Sequence, residues 1–109
     1  MGLHEIAFSL PGSREYALPR AWSHTGVVGS GDMEVLVQRE ALDGHVRVKI
    51  TTPVRGYDDI WEKVLTRFVR ESGFGNVKID INDNNATPFV AAMRLKQARA
   101  ELMEGADKP

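Results

Sequence analysis

Residues 57–73 read YDDIWEKVLTRFVRESG and constrain the fold of this chain more than any other stretch. Apolar side chains recur there at the spacing of one helical face: Ile60, Trp61, Val64, Leu65, Phe68 and Val69. Asp58 and Asp59 stand in the first turn, where carboxylates are favoured, and Gly73 follows the last turn, where helices commonly end. The pattern predicts an amphipathic helix whose apolar face other elements must cover.

Strands are predicted on both sides of this helix, because apolar and polar residues alternate there with a period of two. The alternating segments are residues 4–10, 33–38, 45–50 and 77–81. Asp43-Gly44 is a turn signal between the second and third of these segments, so we expect those two to form an antiparallel hairpin. Residues 11–21 contain two prolines and mixed charges, which predict an exposed excursion.

A second helix is predicted after a turn at Asp83-Asn84-Asn85, where Asn85 tolerates a left-handed conformation. Thr87 is its expected N-cap and Pro88 its first helical residue. The expected inner stripe of this helix is Ala91, Leu95, Ala98 and Leu102. The chain is expected to fray from Gly105 onward.

The order of these elements predicts an α+β fold. We expect a small mixed or antiparallel sheet of about four strands, with two helices packed on one face. The 109 residues predict a single domain, with a variable N-terminal segment over 1–24, a core over 25–103 and a frayed tail over 104–109.

Composition excludes several classes of function. The net charge of −1 supplies no basic field for nucleic acid and no polybasic membrane anchor. The absence of cysteine removes disulfides, thiolate metal sites and a cysteine nucleophile. No apolar run approaches the ~20 residues that span a bilayer, and the N-terminus lacks the pattern of a secretion signal. A cytoplasmic location is therefore the default expectation.

A glycine-rich segment, Gly26-Val27-Val28-Gly29-Ser30-Gly31, precedes the strand at residues 33–38. The glycines on either side of Ser30 leave its hydroxyl on slim, adaptable backbone, which would suit modification by another enzyme if the site is exposed. A phosphate-binding loop is disfavoured, because a strand follows instead of a helix and the P-loop lysine is missing. The simplest local interpretation is a flexible turn that enters a strand.

A serine hydrolase is also disfavoured, although Ser30, Asp32 and His24 are close in sequence. A nucleophile elbow requires glycines two residues before and after the serine, and these positions hold Val28 and Asp32. His24 is expected to be an exposed loop residue.

Metal and stacking sites receive little support. Asp80, Asn82 and Asn84 imitate the start of a calcium loop, but the required glycine and glutamate are replaced by Asn85 and Ala91.

Trp61 and Phe68 lie on the apolar stripe of the first helix, so packing is favoured over base stacking. Arg14, Arg20 and Arg55 lie in predicted loops and could meet a phosphate-bearing group.

Two blocks of sequence together carry a resemblance to a known family. The first block is Gly26-Val27-Val28-Gly29-Ser30-Gly31-Asp32-Met33-Glu34-Val35-Leu36, and the second comprises Ile79-Asp80-Ile81-Asn82-Asp83, Ala86-Thr87-Pro88, Arg94-Leu95 and Gln97-Ala98. From about residue 25 to 102 the chain resembles the acyl-carrier (delta) subunits of malonate decarboxylase, and more distantly the gamma subunit of citrate lyase. Asn85 stands where the family usually has glycine.

This resemblance implies that Ser30 is joined through a phosphodiester to 2'-(5''-phosphoribosyl)-3'-dephospho-coenzyme A. The thiol of that prosthetic group carries acetyl and malonyl thioesters while malonate is decarboxylated to acetate and CO2. The chain itself is then a non-catalytic carrier. Its implied partners are the acyl transferase and decarboxylase subunits and the holo-carrier synthase that attaches the group. The alternative is a small binding or assembly subunit in which Gly29-Ser30-Gly31 is an unmodified turn.

Overall fold

The computed structural model describes residues 2–15 and 18–103. They form a five-stranded mixed sheet that is covered on one face by two helices. Its elements are β1 (His4–Leu10), β2 (Trp22–Gly26), β3 (Asp32–Arg39), β4 (Val46–Thr52), α1 (Asp58–Ser72), β5 (Val77–Asn84) and α2 (Pro88–Met103). The predicted α+β class is confirmed, with one strand more than expected. The predicted fraying from Gly105 onward lies outside the described residues.

The strand order is β1-β4-β5-β3-β2, in which only β4 and β5 run parallel. A parallel pair needs a crossover connection, and α1 lies in the chain between these two strands. The predicted hairpin of β3 with β4 is wrong, because β5 lies between them: Ile81 pairs with Val35 on one side and with Ile50 on the other.

The turn at Asp43-Gly44 exists, and both residues have positive φ. It does not close a hairpin, because the chain passes over the start of β5 before it enters β4. The side-chain oxygen of Asn76 accepts hydrogen bonds from the backbone N–H groups of Leu42 and Gly44, at 3.2 and 2.7 Å. Asn76, which directly precedes β5, therefore attaches the connection between β3 and β4 to the start of β5.

β2 is the strand that the alternation of apolar residues did not reveal. Its inward residues are polar: Ser23 and Thr25 are buried. The Ser23 hydroxyl donates to the Ala98 carbonyl at 3.5 Å, and the Thr25 hydroxyl donates to Glu101 at 2.8 Å. These hydrogen bonds to α2 replace the apolar contacts that normally identify an inward-facing strand position.

Both predicted helices are confirmed, with their caps. Gly73 ends α1 in the left-handed conformation and donates its N–H to the carbonyl of Val69 at 3.0 Å. Thr87 accepts a hydrogen bond from the N–H of Val90 at 3.2 Å, and Asn85 has a φ of 70°. The predicted inner stripe of α2 is buried along its length: Ala91, Leu95, Ala98 and Leu102.

The core lies between this helical layer and the inward residues of β3, β4 and β5. The α1 stripe enters it at Trp61, Leu65, Phe68 and Val69, whereas Ile60 remains exposed. Packing is therefore confirmed as the role of Phe68, whose ring meets Phe74 edge-on with centroids 5.4 Å apart. Leu18 is also buried, so the predicted excursion over residues 11–21 is not exposed throughout. None of the described helices is long and apolar enough to cross a membrane.

Candidate functional site

Ser30 lies in the connection between β2 and β3 and is exposed. Gly31 adopts a φ of 74°, and its N–H donates to the carbonyl of Asn84 at 2.8 Å. Asp32 closes the turn, because its N–H donates to the carbonyl of Gly29 at 3.0 Å. A Cβ built on Gly31 would meet no heavy atom within 4 Å, so the backbone beside Ser30 borders open space. The loop is thus fixed at its base and open at its tip.

Gly26 is required where the chain enters this loop. Its φ is 87°, and a Cβ at this position would lie 2.2 Å from the carbonyl oxygen of Met33 and 3.2 Å from the side chain of Arg94. The close approach of β3 and α2 therefore explains this glycine. Gly29 differs, because its φ is not positive and a Cβ there would only touch the side chain of Val27 at 3.6 Å.

Asp32 and Arg94 form an ion pair that joins the loop to α2. Arg94 Nε donates to Asp32 Oδ1 at 2.9 Å, and Nη2 donates to Oδ2 at 2.5 Å. Asp32 Oδ1 also accepts the N–H of Met33, and Arg94 Nη1 donates to Gln97. The Arg94 hydrogen bond, followed by that from Met33, lowers the pKa of Asp32 to about 2, while the same carboxylate raises the pKa of Arg94. The pair therefore stays ionised at neutral pH.

Neither His24 nor Asp32 is hydrogen-bonded to Ser30. His24 lies on β2, not in a loop as predicted, and its Nε2 donates to Glu34 at 2.8 Å. Asn82 donates to the other oxygen of Glu34 at 2.8 Å. The hydrogen bonds from His24 and then Asn82 lower the pKa of Glu34. The structure therefore does not assemble a serine–histidine–aspartate constellation around Ser30.

The residues of the imitated calcium loop are used elsewhere. Asp80 pairs with Lys78 at 3.7 Å, and Asn82 donates to Glu34. Across residues 2–15 and 18–103, no group of three or more His, Asp or Glu side chains could hold a metal ion.

A buried carboxylate, Asp83, organises the neighbouring strand ends. Its Oδ2 accepts the hydroxyl of Thr52 at 2.8 Å and the N–H of Asn85 at 3.2 Å, while Oδ1 accepts the N–H of Ala86 at 2.9 Å. The sequence pattern predicts a turn at Asp83. Its spacing of two from Ile81 was the available signal, because that spacing places it on the inward face of β5.

A cavity of about 270 Å³ opens beside this carboxylate, between the first turns of α1 and α2. Its lining is mainly apolar, with polar groups at one side: Val54, Tyr57, Ile60, Trp61, Val64, Asp83, Asn85, Ala86, Thr87, Pro88 and Ala91. Asn85 directly follows Asn84, the residue that accepts the hydrogen bond from Gly31. The cavity and the Ser30 loop therefore share one end of the sheet. Trp61 packs into the core, as predicted, and also forms part of the cavity wall.

The three loop arginines differ in position. Arg14 pairs with Asp43 at 3.1 Å, and Arg20 donates to the carbonyl of Glu101 at 3.3 Å. Arg55 is exposed beside the cavity, between the lining residues Val54 and Tyr57.

Exposed apolar side chains occur in the Ser30 loop and on α2. Val27 and Val28 directly precede Gly29 and are 59% and 53% exposed, and Phe89 in the first turn of α2 is 78% exposed. Met93, one turn further along α2, is 38% exposed and adjacent in sequence to Arg94. The Ser30 loop therefore carries its own apolar surface, whereas Phe89 lines a groove between α1 and α2 together with Phe68.

Similarity to known proteins extends over almost the whole chain. The family model for the malonate decarboxylase delta subunit (MdcD) matches residues 21–102. The malonate decarboxylase acyl carrier protein of Malonomonas rubra is 46% identical over 99 residues, which are 91% of this chain and 88% of that protein. That of Stenotrophomonas maltophilia (strain K279a) is 34% identical over 103 residues, 94% of this chain and 97% of that protein.

A solved structure shows the same fold. One chain of a Pseudomonas malonate decarboxylase hetero-tetramer, crystallised in complex with malonate, superimposes with a TM-score of 0.80 at 30% sequence identity. The match covers 91% of this chain and 98% of that one.

Proposed function

The chain belongs to the family of malonate decarboxylase delta subunits, the acyl carrier proteins of that enzyme, and on this premise we propose that Ser30 is its point of attachment for a prosthetic group. The proposed group is 2'-(5''-phosphoribosyl)-3'-dephospho-coenzyme A, linked through a phosphodiester to Oγ of Ser30. When attached, it supplies a terminal thiol that carries acetyl and malonyl groups as thioesters. The chain itself is the carrier and leaves the bond-breaking steps to other subunits.

The geometry of the loop supports this assignment. A phosphodiester at Ser30 needs an exposed hydroxyl and free volume around it, and both Ser30 and the backbone at Gly31 meet that need. A large modification in a packed turn would displace its neighbours, whereas here the tip borders open space. The exposure of Ser30 on this open tip is the observation that carries the proposal.

The surrounding residues hold the loop in one orientation while its tip stays accessible. Gly31 is fixed to β5 through Asn84, and Asp32 is fixed to α2 through Arg94. Ser30 stands directly before these two anchored residues. An attached arm would therefore leave the protein from a constant position and direction, which raises its effective concentration near partner active sites.

Repeated contact with other proteins is the second requirement of a carrier. The exposed Val27 and Val28 provide apolar surface next to the attachment point. We propose that the acyl transferase and decarboxylase subunits, and the holo-carrier synthase that attaches the group, contact this surface within a cytoplasmic complex. The solved relative is part of a hetero-tetramer, which supports multi-subunit assembly.

Intact-mass measurement of the chain purified from its native complex tests the attachment. We expect an added mass equal to the phosphoribosyl-dephospho-coenzyme A group, and peptide mapping should place it on Ser30. Ser30→Ala should abolish both the added mass and malonate decarboxylation. Ser9→Ala changes another exposed serine, on β1, and is the matched control.

Two results would contradict the proposal. An added mass that persists in Ser30→Ala would refute the assignment to this residue. Bare polypeptide in a complex that still decarboxylates malonate would favour the alternative function, an assembly subunit with an unmodified turn.

A further inference from the structure

The cavity between the first turns of α1 and α2 has the composition of a small-ligand site. Ligand pockets are mainly apolar, with a few polar groups that fix orientation. Here Val54, Ile60 and Trp61 supply apolar and aromatic wall, while Asn85 and Thr87 supply polar groups at one side. The volume of about 270 Å³ would accommodate a single heteroaromatic base with room to spare.

Two polar groups at this cavity are available for a ligand. Within the described part of the chain, the side-chain amide of Asn85 and the hydroxyl of Tyr57 take part in no hydrogen bond. Tyr57 is also half exposed, although it lines the cavity. A planar base could therefore find both a ring to contact and unused donors and acceptors.

One chain segment of the cavity wall carries a positive charge. Arg55 lies between two lining residues, Val54 and Tyr57, and its guanidinium pairs with no side chain among residues 2–15 and 18–103. Arg14 and Arg67, by contrast, each pair with a carboxylate. A guanidinium left unpaired beside an apolar cavity matches an anionic group attached to a planar one, because arginine binds phosphate through its fork of N–H donors.

The cavity and the attachment point lie at the same end of the sheet. Gly31, next to Ser30, is hydrogen-bonded to Asn84, and the residues on either side of Asn84, Asp83 and Asn85, both line the cavity. In the proposed prosthetic group, one phosphoribosyl unit separates the serine oxygen from the adenosine, a span on the order of 12 Å at ordinary bond lengths. The adenine of the arm is thus its segment best placed to reach this cavity.

We propose that this cavity binds the adenine nucleotide segment of the arm, with the base inside and Arg55 on the phosphates. The inference rests on the proposed modification of Ser30 for its biological ligand, but the pocket itself can be tested without that modification. Docking of the nucleotide would hold the first part of the arm against the protein and leave only the pantetheine segment free to swing.

Direct titration tests the pocket in unmodified protein. The double variant Trp22→Phe, Ser30→Ala keeps Trp61, a residue of the cavity wall, as the single tryptophan. We expect ADP and 3'-dephospho-coenzyme A to change Trp61 emission saturably, and pantetheine to have no effect. Adding Arg55→Ala should weaken nucleotide binding about threefold, the size typical of an exposed ion pair. Arg47→Ala, which removes an exposed arginine on β4, should leave it unchanged.

Hydrogen exchange of the modified chain supplies the second measurement. Compared with Ser30→Ala, the modified protein should exchange more slowly at residues 54–61 and 85–91. The pocket would be overturned if the chain carries the added mass but the attached group does not slow hydrogen exchange and nucleotides do not change Trp61 emission. That result would leave the Ser30 assignment intact. Nucleotide binding at Trp61 without any mass on the native chain would instead retain the pocket and reject the Ser30 assignment. A response to pantetheine alone would show that the cavity takes the other end of the arm and would overturn the proposal.

Discussion

Arg94 donates two hydrogen bonds to the carboxylate of Asp32, although the two residues are 62 positions apart in the sequence. Asp32 stands two residues after Ser30, and Arg94 lies in the second turn of the last helix. The pair therefore makes the orientation of the proposed attachment loop dependent on the docking of α2.

Loss of this ion pair should slow modification of Ser30. Arg94→Lys retains the charge but removes the paired N–H donors, so the loop loses its fixed orientation. We expect arm attachment by the holo-carrier synthase, followed by intact mass over time, to be slower by about tenfold or more, because small misplacements of a reacting group have large effects on rate. Arg99→Lys, at an exposed position of the same helix, is the control. Equal rates for Arg94→Lys and wild type would contradict this role.

The same pair should make stability depend on acid pH. The pKa of Asp32 falls from 3.8 to about 2 on folding, so its stabilising contribution is complete above pH 3.8 and is lost as the pH falls towards 2. Asp32→Asn should remove this part of the dependence. The free energy of unfolding, measured with urea between pH 5 and pH 2, should therefore depend less on pH in the variant than in the wild type. Parallel curves would mean that Asp32 is not the titrating group.

Substitution of the glycines around Ser30 should distinguish the cost in stability of a steric clash from the cost of a positive φ. Gly26→Ala combines a positive φ with a clash against the carbonyl of Met33, and should lower the free energy of unfolding by about 3 kcal/mol or more. Gly31→Ala has the positive φ without the clash and should cost about 1 kcal/mol. Gly29→Ala is the control, with an expected change below about 0.5 kcal/mol. Urea unfolding of the three variants measures this order, and a Gly26→Ala protein as stable as Gly29→Ala would contradict it.

Asp83 should be important for stability because its buried carboxylate accepts three hydrogen bonds. Asp83→Ala leaves the donors at Thr52, Asn85 and Ala86 without their acceptor and should cost about 3 kcal/mol. Thr52→Val should cost less, and the double variant should cost less than the sum, because both changes remove the same bond. Asp59→Ala, at an exposed position of α1, is the control. Strictly additive free energies from urea unfolding would rule out a shared bond between Asp83 and Thr52.

The sequence predicts the parts of this fold whose burial is apolar and periodic. The stripe that contains Leu65 and the stripe that contains Leu95 are visible without the structure, as are the caps at Gly73 and Thr87, because each depends on residues close in sequence. β2 escapes detection because Ser23 and Thr25 satisfy their burial by hydrogen bonds rather than by apolar contacts.

The pairing of strands is less predictable than their existence. Asp43-Gly44 correctly predicts a turn. The turn residues do not reveal that β5 lies between β3 and β4, or that Asn76 binds the connection between these two strands. At the site, Ser30 stands out by its flanking glycines. Arg94 does not, because nothing local relates it to a loop 62 positions away. The sequence thus indicates the candidate attachment residue but does not reveal the ion pair that orients its loop.

The hydrogen bond between Gly31 and Asn84 and the ion pair between Asp32 and Arg94 have a consequence for biosynthesis. A nascent chain that has not yet emerged past Arg94 can form neither α2 nor the finished turn at Ser30. If the proposed synthase recognises only the complete turn, truncated or misfolded chains are not modified, and the proposed prosthetic group is attached only to chains that were completed.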